Sequence, residues 1–169
     1  MNFGRIDDRE LALVERTAAF SRRWHLTPVA RAVSRLGNGW LYPLVGLSLA
    51  GSLPQCVPVS AASVATSFAI YPLLKRSLAR LRPCESSARL DDPMKPLDRF
   101  SFPSGHAMTA AAVGVPILIA APASVSPFVI AGCLLMSWSR VALGHHYFTD
   151  IIAGSLVGAV IAAMFVMMM

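Results

Sequence analysis

Residues 139–150 read SRVALGHHYFTD, and the 19 residues that follow them, IIAGSLVGAVIAAMFVMMM, carry no charged side chain. A transmembrane helix needs about 20 consecutive apolar residues. The second stretch therefore predicts a membrane-spanning helix, and the first places an arginine, two histidines and an aspartate at its start. Ionisable groups beside an apolar span are costly, and such groups mark functional sites by default.

The whole chain has the composition of a membrane protein. Of its 169 residues, 55% are hydrophobic and 14% are charged, whereas soluble domains carry about 25% charged residues. Residues 36–74 and 107–138 also contain no Asp, Glu, Lys, Arg or His. Each is long enough for two spans, and Pro and Ser mark a turn in each. We therefore predict an all-α integral-membrane bundle of about five transmembrane helices, at residues 37–53, 57–74, 106–121, 127–143 and 150–168.

The net charge of +6 is concentrated at one predicted membrane face. All fifteen Lys and Arg side chains lie in the N-terminal segment or near span ends that share a face, and none lies near the turns at Pro54 and Ala123. The positive-inside rule favours a cytoplasmic location for the basic face. We expect a multi-pass protein of the bacterial inner membrane.

The N-terminal segment, residues 1–36, differs from the rest of the chain. Side chains of one face recur there at helical spacing: Leu13, Thr17, Phe20 and Trp24. With arginines on the other faces, this pattern is typical of an amphipathic helix in the membrane interface, and packing against the bundle would give the same pattern. We therefore divide the chain into an amphipathic interfacial segment, residues 1–36, and a transmembrane bundle, residues 37–169, with a catalytic loop at 75–106.

Two further polar clusters flank predicted spans. Lys75 and Arg82, in KRSLARLRP at residues 75–83, are seven residues apart, a spacing that would place both on one side of a helix ending at Pro83. The second cluster is SFPSGH, residues 101–106, which predicts a turn followed by a helix start. Backbone N–H groups at a helix start bind anions.

The third cluster places histidine beside a carboxylate. His146 and Asp150 are four residues apart and hence neighbours on one helix face. A carboxylate that keeps one imidazole nitrogen protonated leaves the other nitrogen free as a nucleophile. The predicted topology brings all three clusters to one membrane face. Three cations, two histidines and an aspartate there fit the binding of a phosphate and its attack by histidine without a divalent ion.

The three clusters together resemble the signature of the type-2 phosphatidic acid phosphatase superfamily. The matching positions are Lys75, Arg82 and Pro83; Pro103, Ser104, Gly105 and His106; and Ser139, Arg140, His146 and Asp150. The resemblance implies that His146 attacks phosphorus, that Asp150 orients it and that His106 protonates the leaving oxygen. It also implies a set of residues that bind the phosphate oxygens: Lys75, Arg82, Ser104, Gly105 and Arg140. It implies no metal and no other cofactor.

The function that the resemblance implies is a membrane lipid phosphatase acting through a phosphohistidine. Candidate substrates are undecaprenyl pyrophosphate, phosphatidylglycerophosphate and phosphatidic acid. The alternatives are a lipid phosphotransferase, a lipid A phosphatase and a non-catalytic lipid-binding membrane protein. The expected partners are the lipid substrate and the bilayer, with no nucleic acid, and the oligomeric state stays open.

Several polar residues match no position of the signature. We interpret His145 as structural or as a contact at the rim of the site. Five further cations are interpreted as solvated or headgroup-contacting surface, with the binding of a second phosphate as the alternative: Arg76, Arg80, Arg89, Lys95 and Arg99. Gly154 and Gly158 predict close helix packing within the bundle, with dimerisation as the alternative.

Overall fold

The computed structural model describes residues 4–168 and contains helices but no β-strand in that range. The helices are α1 (Gly4–Arg23), α2 (Thr27–Arg35), α3 (Leu41–Ser52), α4 (Cys56–Leu78), α5 (Pro83–Ser86), α6 (Gly105–Ala120), α7 (Ser126–Ala142) and α8 (Phe148–Met167). A π-helical turn, Leu36–Trp40, joins α2 to α3, and 3-10 turns lie at Ala88–Leu90 and Ala123–Val125. The predicted all-α fold is confirmed.

Three helical segments in this range are long and apolar enough to cross a bilayer: Cys56–Leu78, Ala123–Ala142 and Phe148–Met167. Helix α6 is also apolar but has only 16 residues, and α3 has 12. Helix α3 continues from α2 through the π-helical turn, where Gly39 adopts a φ of 125° that favours glycine. The chain is an integral membrane protein, and both predicted turns, at Pro54 and Ala123, separate helices.

Helix α6 lies at the centre of the bundle, against α4, α7 and α8. A Cβ atom at Gly154 would lie 2.4 Å from the Ser104 carbonyl oxygen, and one at Gly158 would lie 2.1 Å from the Met108 carbonyl oxygen. Both glycines therefore let α8 approach the backbone of α6 directly. The prediction that this pair serves close packing within the bundle is confirmed.

The N-terminal helices pack on the bundle through one face. Helices α1 and α2 contact α7, and Val14 and Ala30 are fully buried in these contacts. Phe20 and Trp24 point away from the bundle and are 55% and 61% exposed. The segment therefore packs through its small apolar residues and leaves its large aromatic residues accessible.

Candidate active site

The two cations of the first cluster converge on one carboxylate. Lys75 Nζ donates a hydrogen bond to Asp98 Oδ1 at 2.6 Å, and Arg82 Nη2 donates to the same oxygen at 2.7 Å. The Tyr71 hydroxyl donates to Asp98 Oδ2 at 2.6 Å. Lys75 and Arg82 are both buried. Asp98, which was not among the predicted site residues, is the anion that these two buried cations share.

These cations meet for a different reason from the one predicted. Helix α4 ends at Leu78, and Ala79 adopts a left-handed conformation with a φ of 45°. Arg82 therefore does not lie two turns beyond Lys75 on the same helix but in an extended segment, with φ −80° and ψ 151°. Pro83 begins the short helix α5 instead of ending α4. The predicted helix geometry was wrong, although the predicted meeting of the two side chains is found.

The second cluster forms the turn that precedes α6. Ser104 is the N-cap, and its Oγ accepts a hydrogen bond from the backbone N–H of Ala107 at 3.5 Å. Gly105 begins the helix, and a Cβ atom there would lie 2.7 Å from the Tyr71 ring. The backbone N–H of Ser104 donates to the Asp150 carbonyl oxygen at 3.0 Å, which ties this turn to the start of α8. The first N–H groups of α6 thus lie beside the third cluster.

The N-terminal segment contacts both His106 and Arg140. His106 Nε2 lies 3.0 Å from Asn38 Oδ1 and 3.3 Å from the Ser34 carbonyl oxygen. Because a carbonyl oxygen only accepts, His106 Nε2 carries a proton. Arg140 donates to Ser34 Oγ, whereas its buried Nε has no hydrogen-bond partner in the described part of the chain. A buried guanidinium with a spare donor is able to bind an anion.

His146 and Asp150 face each other at the start of α8. His146 Nδ1 lies 3.5 Å from Asp150 Oδ2, and both side chains are buried. Arg82 Nη1 lies 3.1 Å from His146 Nε2. A guanidinium has donors only, so Arg82 donates and His146 Nε2 is the unprotonated nitrogen. The imidazole proton is then on Nδ1, on the side of Asp150.

The prediction that His146 and Asp150 share one helix face was wrong, because His146 does not lie on α8. The helix begins at Phe148, and Asp150 Oδ2 accepts a hydrogen bond from the backbone N–H of Tyr147 at 2.8 Å. His146 approaches Asp150 from the preceding loop, where Gly144 adopts a φ of 68°. The two side chains are neighbours across a helix start and not along a helix face.

Burial keeps both histidines of this loop neutral at pH 7. Burial lowers the pKa of His146 well below its usual value of 6.5, and the charges of Arg82 and Arg140 lower it further. Burial also lowers the pKa of His145 to about 3, again with a contribution from Arg140. His145 Nε2 lies 2.8 Å from the Met94 carbonyl oxygen. His145 therefore holds the polar loop, residues 84–99, against the site.

Arg80 is not a solvated surface cation, and that interpretation was wrong. Its Nη1 donates to Asp150 Oδ1 at 2.8 Å, and its Nη2 donates to Glu10 Oε2 at 2.7 Å. Its guanidinium lies 3.9 Å from the centre of the Tyr147 ring. The surface interpretation is confirmed for two side chains that are largely exposed, Arg89 at 78% and Lys95 at 73%.

Two cavities reach this cluster from different sides. One, of about 450 Å³, is lined mainly by the polar loop at residues 84–99 and reaches His145. The other, of about 320 Å³, lies among α3, α4 and α6, has a mainly apolar lining and reaches His106. Asp98 lines both cavities. A polar and an apolar cavity that share one wall suit an amphiphilic ligand.

The chain is similar to a known protein family and to a known relative. The family model described as the PAP2 superfamily matches residues 59–169. An undecaprenyl-diphosphatase from Sulfolobus acidocaldarius is 38% identical over 87 residues, which are 50% of this chain and 41% of that relative. The chain therefore spans about two fifths of the length of this relative.

Two longer similarities cover most of the chain. A decaprenylphosphoryl-5-phosphoribose phosphatase from Mycolicibacterium smegmatis is 34% identical over 161 residues, which are 86% of this chain and 80% of that relative. The crystal structure of a transmembrane PAP2 type phosphatidylglycerolphosphate phosphatase from Bacillus subtilis matches with a TM-score of 0.77 at 23% identity, over 98% of this chain and 86% of that chain. The second similarity shows a shared fold.

Proposed function

The chain belongs to the PAP2 superfamily, in its membrane lipid phosphatase branch, and on this premise we propose that it hydrolyses a phosphate ester or diphosphate of a polyprenyl lipid through a phosphohistidine. One observation carries the proposal: Arg82 contacts Nε2 of His146 while Asp150 lies beside Nδ1. An unprotonated imidazole nitrogen thus lies next to buried cations, as attack on a bound phosphate requires.

In the proposed reaction, His146 Nε2 forms a bond to phosphorus, and the bond from phosphorus to the leaving oxygen breaks. His106, protonated on both ring nitrogens when the substrate binds, gives a proton to that oxygen and becomes neutral, and Asp150 stabilises the positive charge on His146. Water then attacks the phosphohistidine, His106 accepts a proton from it, and inorganic phosphate leaves with His146 restored. The groups proposed to stabilise the phosphoryl oxygens are Lys75, Arg82, Ser104, Gly105 and Arg140.

Asp98 has a defined place in this proposal. Its carboxylate shares Lys75 and Arg82 in the unliganded chain, through hydrogen bonds of 2.6 and 2.7 Å. A substrate phosphate that binds both cations replaces these two hydrogen bonds with its own. Asp98 therefore acts as an internal anion that keeps the buried cations paired until substrate arrives.

The polyprenyl class is supported by the names of the relatives and by the cavities. An undecaprenyl and a decaprenyl lipid appear in the names of the two relatives. The apolar cavity among α3, α4 and α6 would receive the part of the lipid tail next to the phosphate, and the polar cavity would receive the headgroup. Phosphatidylglycerophosphate and phosphatidic acid are the competing substrates that a test must include.

We further infer that α3, α4, α6, α7 and α8 all cross the bilayer, with the site and the N-terminal segment at the basic face. The positive-inside rule assigns this face to the cytoplasm. Labelling of introduced cysteines tests the assignment, in a background where the three native cysteines are replaced. Lys95→Cys should react only from the cytoplasmic side and Ala123→Cys only from the other side, and the reverse pattern would refute the assigned face.

Phosphate release by the purified protein in detergent micelles tests the proposed function. Polyprenyl diphosphate, polyprenyl phosphate, phosphatidylglycerophosphate and phosphatidic acid are compared in the presence of EDTA. We expect release to fall to background in His146→Ala, because the nucleophile is gone, and to persist in His25→Asn, which removes an exposed histidine from the turn between α1 and α2. Loss of activity in both variants, or in neither, would contradict the role of His146, and no release from any lipid by the wild-type protein would refute the phosphatase.

A further inference from the structure

Arg80 joins two carboxylates from opposite ends of the chain. It donates to Asp150 Oδ1 at 2.8 Å and to Glu10 Oε2 at 2.7 Å. The Arg80 and Glu10 side chains are each 11% exposed, and Asp150 is fully buried. Glu10 lies on α1, outside residues 59–169 that match the family model.

Glu10 also binds the start of the helix that carries Asp150. Its Oε1 accepts from the Thr149 backbone N–H at 3.0 Å, and its Oε2 accepts from Thr149 Oγ1 at 2.8 Å. A carboxylate is stabilised at a helix N-terminus, where backbone N–H groups lack partners within the helix. One carboxylate thus fixes both the Arg80 guanidinium and the first turn of α8.

The position of Asp150 depends on these contacts. Arg80 donates a hydrogen bond to Asp150 Oδ1, and the Tyr147 backbone N–H donates one to Asp150 Oδ2. With both oxygens held in this way, Oδ2 lies 3.5 Å from His146 Nδ1. A guanidinium is a rigid fork, so the direction of one N–H group sets the direction of the other. Glu10 holds Nη2 while Nη1 binds both Asp150 and Thr149 Oγ1, so Glu10 helps to set the direction of the N–H group that binds Asp150.

We propose that Glu10 and Arg80 are positioning residues that orient Asp150 toward His146, so that helix α1 completes the active site. The inference rests on the proposed function for its effect on turnover. It makes the N-terminal segment part of the catalytic geometry rather than only a surface that contacts the bilayer. Ser34, which contacts Arg140 and His106 from the same segment, is consistent with that role.

Glu10→Gln tests the proposal, and Glu15→Gln is its matched control. Glu15 lies on the same helix but accepts hydrogen bonds from Ser87 and Arg89, away from Asp150. A glutamine at position 10 lacks the negative charge. Its side-chain NH2 group also cannot accept the hydrogen bonds that the Glu10 oxygens accept from Arg80 and Thr149. We expect kcat to fall about tenfold with KM nearly unchanged, because misplacement of a catalytic group affects the transition state more than substrate binding. Glu15→Gln should match the wild-type protein.

A second variant and a second measurement separate positioning from stability. Arg80→Lys keeps the positive charge but lacks the planar set of N–H donors of the guanidinium. This variant should lower kcat to a similar extent, while its melting temperature stays close to that of Glu15→Gln. The NMR chemical shifts of the His146 imidazole nitrogens should change in Glu10→Gln and not in Glu15→Gln. Unchanged kcat and shifts in Glu10→Gln, or a lower melting temperature alone, would overturn the proposal.

These outcomes are distinct from failure of the proposed function. A wild-type protein that releases no phosphate from any lipid would refute the phosphatase. The imidazole shifts would then still decide whether Glu10 controls the surroundings of His146. An active wild-type protein with an equally active Glu10→Gln variant would refute the positioning role alone.

Discussion

Two sets of basic side chains lie near the polar loop but in opposite environments. The buried set consists of Lys75, Arg82 and Arg140, which are 4%, 1% and 3% exposed. The exposed set consists of Arg89 and Lys95, which pair with Glu15 and Asp91. Exposed ion pairs contribute little to stability, whereas a buried cation that loses its partner is strongly destabilising. Burial, and not residue type, therefore distinguishes the cations that are suited to catalysis.

Removal of one buried cation should give the largest effect. We expect Arg82→Ala to lower kcat/KM by about 10²–10³-fold, the loss typical for one preorganised donor to a transition-state oxyanion. Arg89→Ala, which removes an exposed cation outside the lining of both cavities, should stay within about twofold of the wild-type protein. The rate of phosphate release from the lipid measures the activity of both variants. The elution volume in size-exclusion chromatography and the melting temperature show that each variant is folded. Equal losses in the two variants would remove the distinction between the two sets.

The buried cations should also control the protonation of His146. Burial, then Arg82 and Arg140, lower the pKa of His146 below 6.5. A lowered histidine pKa means that the neutral form persists as pH falls through 6.5 and is lost only at lower pH. We expect an NMR titration of the unliganded protein to show His146 neutral at pH 6.5, with its midpoint raised in Arg82→Ala and unchanged in Arg89→Ala. A wild-type midpoint at 6.5 or above would contradict this.

A smaller effect is expected when the buried cations lose their internal anion. Burial raises the pKa of Asp98, but hydrogen bonds from Lys75 and Tyr71 outweigh it and lower the pKa below 3.8. Asp98 is therefore ionised at neutral pH, and it competes with phosphate until the pH falls through that lowered pKa. We expect the Asp98→Asn variant to bind inorganic phosphate severalfold more tightly than the wild-type protein, measured as product inhibition. The affinity of the Asp91→Asn variant for inorganic phosphate should equal that of the wild-type protein. Weaker binding in Asp98→Asn would instead make Asp98 a support for the two cations.

The sequence predicted which polar residues lie together better than it predicted the geometry in which they meet. Pro83 and the His146–Asp150 spacing indicated that polar groups meet at helix ends, and the structure brings them together. The helical registers assumed for them were wrong, because Ala79 and Gly144 adopt left-handed conformations that redirect the chain before Arg82 and His146. A left-handed alanine is rare, so no sequence rule indicates it.

The contribution of the N-terminal segment could not be predicted. Helical periodicity indicated the face of α1 that carries Leu13, Phe20 and Trp24, which the structure leaves exposed, but not the opposite face, which packs on α7. Glu10 and Ser34 reach the site only because both helices pack on α7, a contact between residues more than 90 positions apart. Asp98 was missed because an aspartate in a long polar loop is ordinarily solvated, and only the folded loop brings it to Lys75.

Gly154 limits how the sequence of this protein can diverge. Its missing side chain leaves room for the Ser104 carbonyl, which a Cβ atom would approach to 2.4 Å. Any other residue at this position would push the turn that carries Gly105 and His106 away from the helix that carries Asp150. Position 154 therefore tolerates no substitution without realignment of the site, whereas neighbouring Ile152 and Leu156, which are 58% and 61% exposed, are free to vary among apolar residues. Gly154 thus helps to set the geometry of the candidate site although it has no functional group.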